Sequence, residues 1–391
     1  MTDEKREFKH IETKLVHAGE PRIMGAVSMP IFQSTMYETL GERDYYSIKY
    51  IRLNNTPNHL ALHEKLAALE GGEDAVVMAS GMAAVSATLL AFLSKGDHLL
   101  VQNCLYGGTH DFVTHDLEDF GISYDFIDGN DPLSWERKVR PNTKAIYVET
   151  MTNPILEVAD HRRVIDFAKS RELISIVDNT FASPINFRPL ELGYDLSLHS
   201  CTKYLNGHSD IVAGAVIGRR ELVEKVKRRL AHFGGSLDPH ACFLLQRGMK
   251  TLAVRMRQHN ESALKIAHFL EDNPLIKRVN YPGLESHPQH TRAKELFDGY
   301  SGMMSFEVVG GQETALRFLK TVTIPVPAPS LGGVESLITL PATTAHLGMS
   351  QEARQKLGIT DGLIRFSVGI ESTEDLIEDL AQALELAKIP K

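Results

Sequence analysis

Leu173-Ile174-Ser175-Ile176-Val177-Asp178-Asn179 is a nearly unbroken apolar run that ends on a carboxylate and an amide. Continuous rather than alternating hydrophobicity predicts a strand buried on both faces, as in a parallel sheet covered by helices. Similar units lie to either side. Upstream, Leu60, Leu62, Leu66 and Leu69 mark a helical face that stops at Gly71-Gly72, and Ala75 to Ala79 reads as a strand. Ser80-Gly81 then opens a helix from Met82 to Leu93. His98 to Gln102 is a strand before the glycine-rich loop Tyr106-Gly107-Gly108-Thr109, and Lys144 to Glu149 is a strand before Asn153-Pro154. A helix from about His161 to Lys169 precedes the quoted run. Ile211 to Gly218 adds a strand and Arg220 to Leu230 a charged helix. The pattern is that of an α/β fold, in which ligands lie beyond the carboxyl ends of the strands. Ser80-Gly81, Glu149-Thr150 and Asp178-Asn179 all stand at such ends.

Beyond that core, a single long helical segment is expected from about Pro239 to Leu270. Mixed texture follows: a strand at Gly302 to Val309, a helix at Thr314 to Leu319, a strand at Gly362 to Val368 and an amphipathic helix from Thr373. The first sixty residues read as irregular, broken by Gly19, Pro21, Gly25, Pro30 and Gly41, with tyrosines at 45, 46 and 50. Three parts are therefore expected: an arm over 1–60, a ligand-binding domain over 61–250 and a smaller α+β domain over 251–391. The 391-residue chain is 43% hydrophobic with a net charge of −8, which excludes a disordered or fibrous chain. It has no dense basic block for nucleic acid or an anionic membrane. Three cysteines (Cys104, Cys201, Cys242) without CxxC spacing point to a reducing compartment rather than a disulfide framework or thiolate zinc site. Met1 to His10 is charged, unlike a signal peptide, and no apolar run approaches the roughly 20 residues of a membrane span. A cytoplasmic protein is expected.

The chain lacks the glycine patterns for dinucleotides and nucleoside triphosphates. Gly207-His208-Ser209-Asp210-Ile211 fails as a nucleophile elbow because Ile211 replaces the second glycine. His59 and His63, four apart without an accompanying HExxH glutamate, read as packed or surface histidines, and no metal site is expected. The densest cluster is His199-Ser200-Cys201-Thr202-Lys203-Tyr204-Leu205-Asn206-Gly207-His208. A lysine flanked by two hydroxyls suits Schiff-base chemistry, which needs a fixed amine of lowered pKa. Read alone, it is more readily an exposed lysine in a polar turn. Asp178 needs a cation, a helix N-terminus or a ligand group, because an unpaired carboxylate at the end of a buried run is costly. Capping of the next turn satisfies it too. Asp178 followed 25 residues later by Lys203 suggests pyridoxal phosphate, whose ring nitrogen a carboxylate keeps protonated. The N–H groups of Ser80-Gly81-Met82, at a helix start, can hold a phosphate, and Tyr106 can lie against a ring.

With those residues in place, the chain resembles the pyridoxal-phosphate enzymes of cysteine and methionine metabolism, the trans-sulfuration family, over essentially its whole length. The resemblance is carried by ASGMAAV at 79–85, LYGGTHDF at 105–112, ETMTNP at 149–154, VDNTFASP at 177–184, HSCTKYLNGHSD at 199–210, SLGGVESLITLPATTAH at 330–346 and IRFSVGIE at 364–371. It implies fold type I (aspartate aminotransferase-like), with a mainly parallel seven-stranded sheet and a smaller α+β C-terminal domain. It also implies that Lys203 holds the cofactor as a Schiff base and moves protons. Asp178 would face the pyridine nitrogen, Tyr106 would stack, and Gly81, Met82, Ser200 and Thr202 would bind phosphate. Arg365 and Asn153 would take the substrate carboxylate, with Ser330 close by.

Tyr50 and Arg52 match a Tyr-x-Arg pair that reaches a neighbouring subunit's phosphate, implying a homotetramer of two catalytic dimers. Asn55-Thr56-Pro57-Asn58 departs from the family's usual Asn-Pro-Thr there. Tyr106 or Tyr50 would assist the leaving group. Gly108 stands where methionine lyases typically carry Cys. Asp111 stands where many cystathionine synthases and γ-lyases carry Arg, and a carboxylate there suits a distal ammonium. The resemblance thus favours β-elimination of L-cystathionine, with γ-elimination or γ-replacement next. Methionine γ-lyase, an aminotransferase of the same fold and a cofactor-binding scaffold without turnover are the remaining alternatives.

Overall fold

The computed structural model describes residues 8–41, 44–344 and 347–388. Residues 1–7 of the arm and Ala345-His346, which end the 330–346 motif, lie outside the described residues. A seven-stranded sheet is built from β1 (Asp74–Met78), β2 (His98–Gln102), β3 (Ser123–Ile127), β4 (Thr143–Glu149), β5 (Ile174–Asp178), β6 (Leu196–Ser200) and β7 (Gly214–Gly218). Its order is β1-β7-β6-β5-β4-β2-β3. The pairs from β6 to β3 are parallel, whereas β7 runs antiparallel to both β1 and β6.

Alternate strand residues feed two cores. Val76, Met78, Leu99, Val101, Tyr147, Ile176 and Leu198 pack on one face, against the helices Gly81–Phe92 and Arg220–Phe233. Ala75 and Val77, with Leu100, Ile146, Val148 and Val177, fill the other. Both faces are therefore dry, which is why these strands are continuously apolar.

Local chemistry sets the helix ends. The helix α1 (Ile11–His17) lies in the arm; α2 (Pro57–Glu70) ends at Gly71, whose φ of 72° needs a residue without a β-carbon. The Ser80 hydroxyl caps α3 (Gly81–Phe92) by accepting from Ala83 N at 2.9 Å. A second sheet has the order β10-β11-β12-β9-β8, with β8 at Ile276–Asn280, β9 at Met303–Val308, β10 at Val326–Pro327, β11 at Leu337–Thr339 and β12 at Leu363–Ser367. The helices Leu252–Glu271, Gly311–Thr321 and Thr373–Ala387 cover it.

Several sequence expectations need correction. The segment 239–270 is two helices, Pro239–Met249 and Leu252–Glu271. The break seats Gly248 so close to the backbone of Asn206 that a β-carbon would stand 2.3 Å from its carbonyl oxygen. The glycine-rich loop after β2 is helical from Gly107 to Asp111 (α4), with Tyr106 just before it. The first sixty residues are not all irregular. Leu15 on α1 is buried, its carbonyl accepts from Lys65 Nζ at 2.5 Å, and Glu20 Oε1 lies 3.3 Å from the same amine. Further along, Met24, Val27, Met36 and Leu40 stand exposed.

Candidate active site

The carboxyl ends of β4, β5 and β6 place three groups side by side. Glu149 and Asp178 are register partners across β4 and β5, and Asp178 pairs with Leu198 two residues before Ser200. Asp178 accepts from Thr180 N at 2.9 Å and from the Tyr147 hydroxyl at 3.4 Å. The Thr180 hydroxyl in turn accepts from Ser200 N at 2.8 Å. Burial raises the Asp178 carboxyl above its ordinary pKa; the Thr180 donors and the positive field of His199 oppose that rise.

Beyond β6 the chain turns through residues 201–206 and presents Lys203. Its Nζ donates to Ser330 Oγ at 2.6 Å. The Ser330 carbonyl accepts from Arg365 Nη2 at 2.9 Å, and Arg365 Nη1 donates to Asn153 Oδ1 at 3.2 Å. An amine and a guanidinium from opposite sides of the cleft are thus joined through one serine. Ser330 has a φ of 93°, a left-handed conformation that turns its hydroxyl and carbonyl to these two partners. Burial first, then the Arg365 charge, depresses the Lys203 amine to about 8. Burial lowers Arg365 to about 10.

The lysine turn is held from behind by Arg255. This buried guanidinium donates to Tyr204 O at 2.8 Å and Gly248 O at 2.9 Å. Gly207, with φ 75°, makes room for it, since a β-carbon there would stand 2.0 Å from Arg255 Nη1.

Gly81, at the start of α3, faces Ser200 so closely that a β-carbon on it would lie 2.8 Å from Ser200 Cβ. Thr202 Oγ1 pairs with Ala213, accepting from its N at 3.0 Å and donating to its O at 3.2 Å. Thr202 thus ties its own loop to the start of β7. Met82 and the ring of Tyr106 flank Gly108. Tyr106 is 46% exposed, an unusual state for a tyrosine whose backbone N–H is fixed by a buried carboxylate, Glu149, at 2.6 Å.

Lys203 is therefore linked to Ser330, Arg365 and Asn153, Asp178 to Ser200 through Thr180, Ser200 to Gly81, and Tyr106 to Met82 across Gly108, while the Thr202 hydroxyl stays with Ala213. Tyr50, Arg52 and Asp111 do not join them. Arg52 donates to Ala231 O at 2.7 Å, and its guanidinium lies 5.5 Å from the Tyr50 ring centre. Asp111 points outward with its side chain 67% exposed, 3.8 Å from His110 Nδ1. The sequence marked Glu149 only as a strand end; its hold on Tyr106 and its place beside Asp178 follow from sheet register. Thr180 and Arg255 were also missed, although Thr180 lies inside the VDNTFASP motif. His59 bonds Thr56 and the Leu237 carbonyl, each at 2.7 Å. Among the described residues no group of His, Cys, Asp and Glu can hold a metal ion, and all three cysteines are buried and free.

This donor set fits pyridoxal phosphate. The glycine at 81 leaves a cradle between a helix N-terminus and Ser200. The amine is fixed and easily deprotonated, a half-buried carboxylate has no lysine or arginine partner among the described residues, and an aromatic face stands open. Fold and site together define a pyridoxal-phosphate enzyme of fold type I. The chain belongs to the Cys/Met metabolism PLP-dependent enzyme family, which it matches over residues 12–385. It is 44% identical to a cystathionine gamma-lyase of Bacillus subtilis (strain 168), over 96% of this chain and 99% of that one. It is 42% identical to a cystathionine beta-lyase of Coxiella burnetii, over 98% of this chain and 100% of the relative. The crystal structure of cystathionine gamma-lyase from Lactobacillus plantarum complexed with L-serine superposes with a TM-score of 0.93, at 37% identity, covering 97% of this chain and 99% of that one.

Proposed function

We propose that the protein is a carbon–sulfur lyase that cleaves L-cystathionine by β-elimination, with water, to homocysteine, pyruvate and ammonia. The observation that carries an amino-acid substrate is the chain Lys203–Ser330–Arg365–Asn153, which sets a proton acceptor beside a carboxylate-binding fork. Bound pyridoxal phosphate supplies a ring that accepts the electrons left at the substrate α-carbon. Each protein group then has one task. Lys203 holds the aldehyde end of the cofactor and, once free, takes the proton from Cα; an amine of pKa about 8 loses its own proton near working pH. With the cofactor bound, Asp178 would hold a proton at the ring nitrogen, and Tyr106 would supply the aromatic face for the ring. The Gly81 and Met82 amides, with Ser200 and Thr202, form the phosphate cradle, and Arg365 with Asn153 receives the substrate carboxylate. Tyr106 or Tyr50 assists the departing thiolate.

Two positions favour the β-cleaving branch. Asp111, although its side chain points outward in this chain, stands where the family resemblance puts a carboxylate suited to the distal ammonium of cystathionine. At Gly108 a β-carbon would stand 2.8 Å from the Tyr106 ring, so the cysteine of methionine lyases would displace that ring. γ-Elimination of the same substrate is the second reading, supported by likeness to the Bacillus enzyme.

We also infer a homotetramer of two catalytic dimers, with Tyr50 and Arg52 completing a neighbour's site and residues 1–60 serving as the arm to the domains 61–250 and 251–391. Support comes from the partners of Arg52 within its own chain, Ala231 O and the Tyr50 ring, neither of which belongs to the Lys203 cluster, and from the exposed apolar residues Met24, Val27, Met36 and Leu40. A cytoplasmic location accords with the free cysteines, and among the described residues no helix is long and apolar enough to cross a membrane.

Incubation with L-cystathionine tests the reaction: pyruvate with homocysteine is expected, 2-oxobutyrate with cysteine means γ-cleavage, and activity only on an acylated homoserine plus a thiol overturns the lyase. Mixing Arg52→Ala with Lys203→Ala chains tests the sharing. Reassembled dimers should regain about a quarter of wild-type activity, because half are mixed and each mixed dimer holds one intact site. No recovery refutes it.

A further inference from the structure

Glu149 and Asp178 form a pair of carboxyls whose protonation the reaction scheme above leaves unassigned. They are register partners on adjacent parallel strands, so their side chains leave the same face of the sheet next to each other. Glu149 is 5% exposed. The groups facing it are Asp178 on β5, Tyr147 on its own strand, the thiol of Cys104, and the backbone N–H groups of Tyr106 and Asn153. No lysine or arginine is among them. Gln102 Oε1 fixes the strand by accepting from Glu149 N at 2.8 Å. Asp178 is better supplied, with the N–H and hydroxyl of Thr180, the hydroxyl of Tyr147 and the field of His199.

Of two adjacent carboxyls with no lysine or arginine between them among the described residues, one buried and one half-buried, the more deeply buried one with fewer donors keeps the proton. Burial and the Asp178 charge both push the Glu149 carboxyl well above the usual carboxylate range.

We propose that Glu149 is a positioning residue that carries a proton. As a neutral acid it anchors the backbone of Tyr106 on one side of the cofactor ring, and it leaves Asp178 the single negative charge at the ring nitrogen. This rests on the reading of the cleft as a pyridoxal-phosphate site and adds a group that touches neither ring nor substrate. The geometry carries it: one carboxyl oxygen accepts from Tyr106 N at 2.6 Å while the strand register sets the group beside Asp178.

The test compares Glu149→Gln and Glu149→Asp holoenzymes. Infrared difference spectra of wild type against Glu149→Gln at neutral pH should show the carbonyl stretch of one protonated carboxylic acid lost in the variant. Glu149→Gln keeps an acceptor for Tyr106 N and the same charge. It should therefore retain pyridoxal phosphate in equilibrium dialysis to within about threefold and leave the pH dependence of the bound cofactor's visible band in place. Glu149→Asp keeps an acid but is one methylene too short to reach Tyr106 N, and should retain the cofactor at least about fivefold less well. Loss of a carboxylate stretch instead of a carboxylic-acid stretch, or a shift of about a unit in the pH dependence of the Gln variant, means that Glu149 is ionised and overturns the proposal. Wild-type retention by Glu149→Asp overturns the anchoring. None of these readouts uses a sulfur amino acid, so a chain that retained the cofactor but left cystathionine intact would fail as a lyase with this inference untouched.

Discussion

Gly81→Ala separates cofactor binding from folding at a single atom. An added β-carbon would stand 2.8 Å from Ser200 Cβ, against an ordinary contact of 3.4–4 Å. The start of α3 and the β6 end must therefore part by about 0.6 Å, the difference between the observed gap and the lower limit of contact. Folding barely registers the change. Alanine is the better helix former by up to about 1 kcal/mol, which offsets the local strain. Binding does register it, because the two displaced elements are the two halves of the phosphate cradle. A hydrogen bond to a charged group contributes about 1.5–3 kcal/mol, so losing one weakens pyridoxal phosphate binding about ten- to a hundredfold. Titration of cofactor-free protein, followed by visible absorbance, measures this, and thermal unfolding of the same samples should show midpoints within about two degrees. A variant that binds the cofactor within about threefold of wild type, with an unchanged melting point, would refute the assignment of the cradle.

Lys203→Met should raise the stability of the cofactor-free protein at pH 7, with the gap to wild type closing as pH rises from about 8 toward 10.5. The folded amine is depressed to about 8 from an ordinary 10.5. The unfolded chain therefore binds more protons in that window, and the penalty of burying the ammonium is full below it and absent above it. Lys65 is depressed to about 8 as well, so the difference between the two proteins, not either melting curve alone, isolates Lys203. Arg255→Leu strands two buried carbonyls, at Tyr204 and Gly248, and should destabilise by about 2–5 kcal/mol in denaturant titrations. Gly207→Ala, which forces a β-carbon onto the same guanidinium at positive φ, should lower stability by at least about 2 kcal/mol. Arg365→Ala should raise KM for the amino-acid substrate at least about tenfold while the holoenzyme keeps its cofactor, as steady-state kinetics beside cofactor absorbance will show.

The parts of this molecule that were legible in the sequence are those whose residues answer to one local demand. His98 to Gln102 is wholly buried and reads as a strand to the residue. The edge strand β3, Ser-Tyr-Asp-Phe-Ile, is only partly covered, so its composition lacks the continuous apolar mark of its neighbours. β6 went unread because Leu-Ser-Leu-His-Ser carries serine and histidine in a buried strand, where Ser197 and His199 find a partner in Glu70, far away in sequence. The break at Lys250-Thr251 was invisible for a related reason: only the approach of the Asn206 backbone to Gly248 demands it. In the site, Lys203 stood out because two hydroxyls flank it, and Asp178 because a carboxylate that ends an apolar strand needs a partner. Glu149 had the same placement, but its meaning depends on Asp178 being its neighbour, and register is a property of the sheet.

The helix Leu252–Glu271 has a bearing on how such proteins can be recombined. Leu252, Ala253 and Met256 sit in the core under the seven-stranded sheet, whereas Ala263, Ile266, Ala267 and Leu270 sit in the core of the second sheet. One rigid rod is thus moored at both ends, and it fixes the separation between the amine on one side of the cleft and the guanidinium on the other. A chimera of two relatives spliced at the visible gap, Lys250-Thr251, would bring foreign side chains into the first core. A splice in mid-helix, between Met256 and Ala263, lets each parent keep its own packing and places Lys203 and Arg365 at their native spacing.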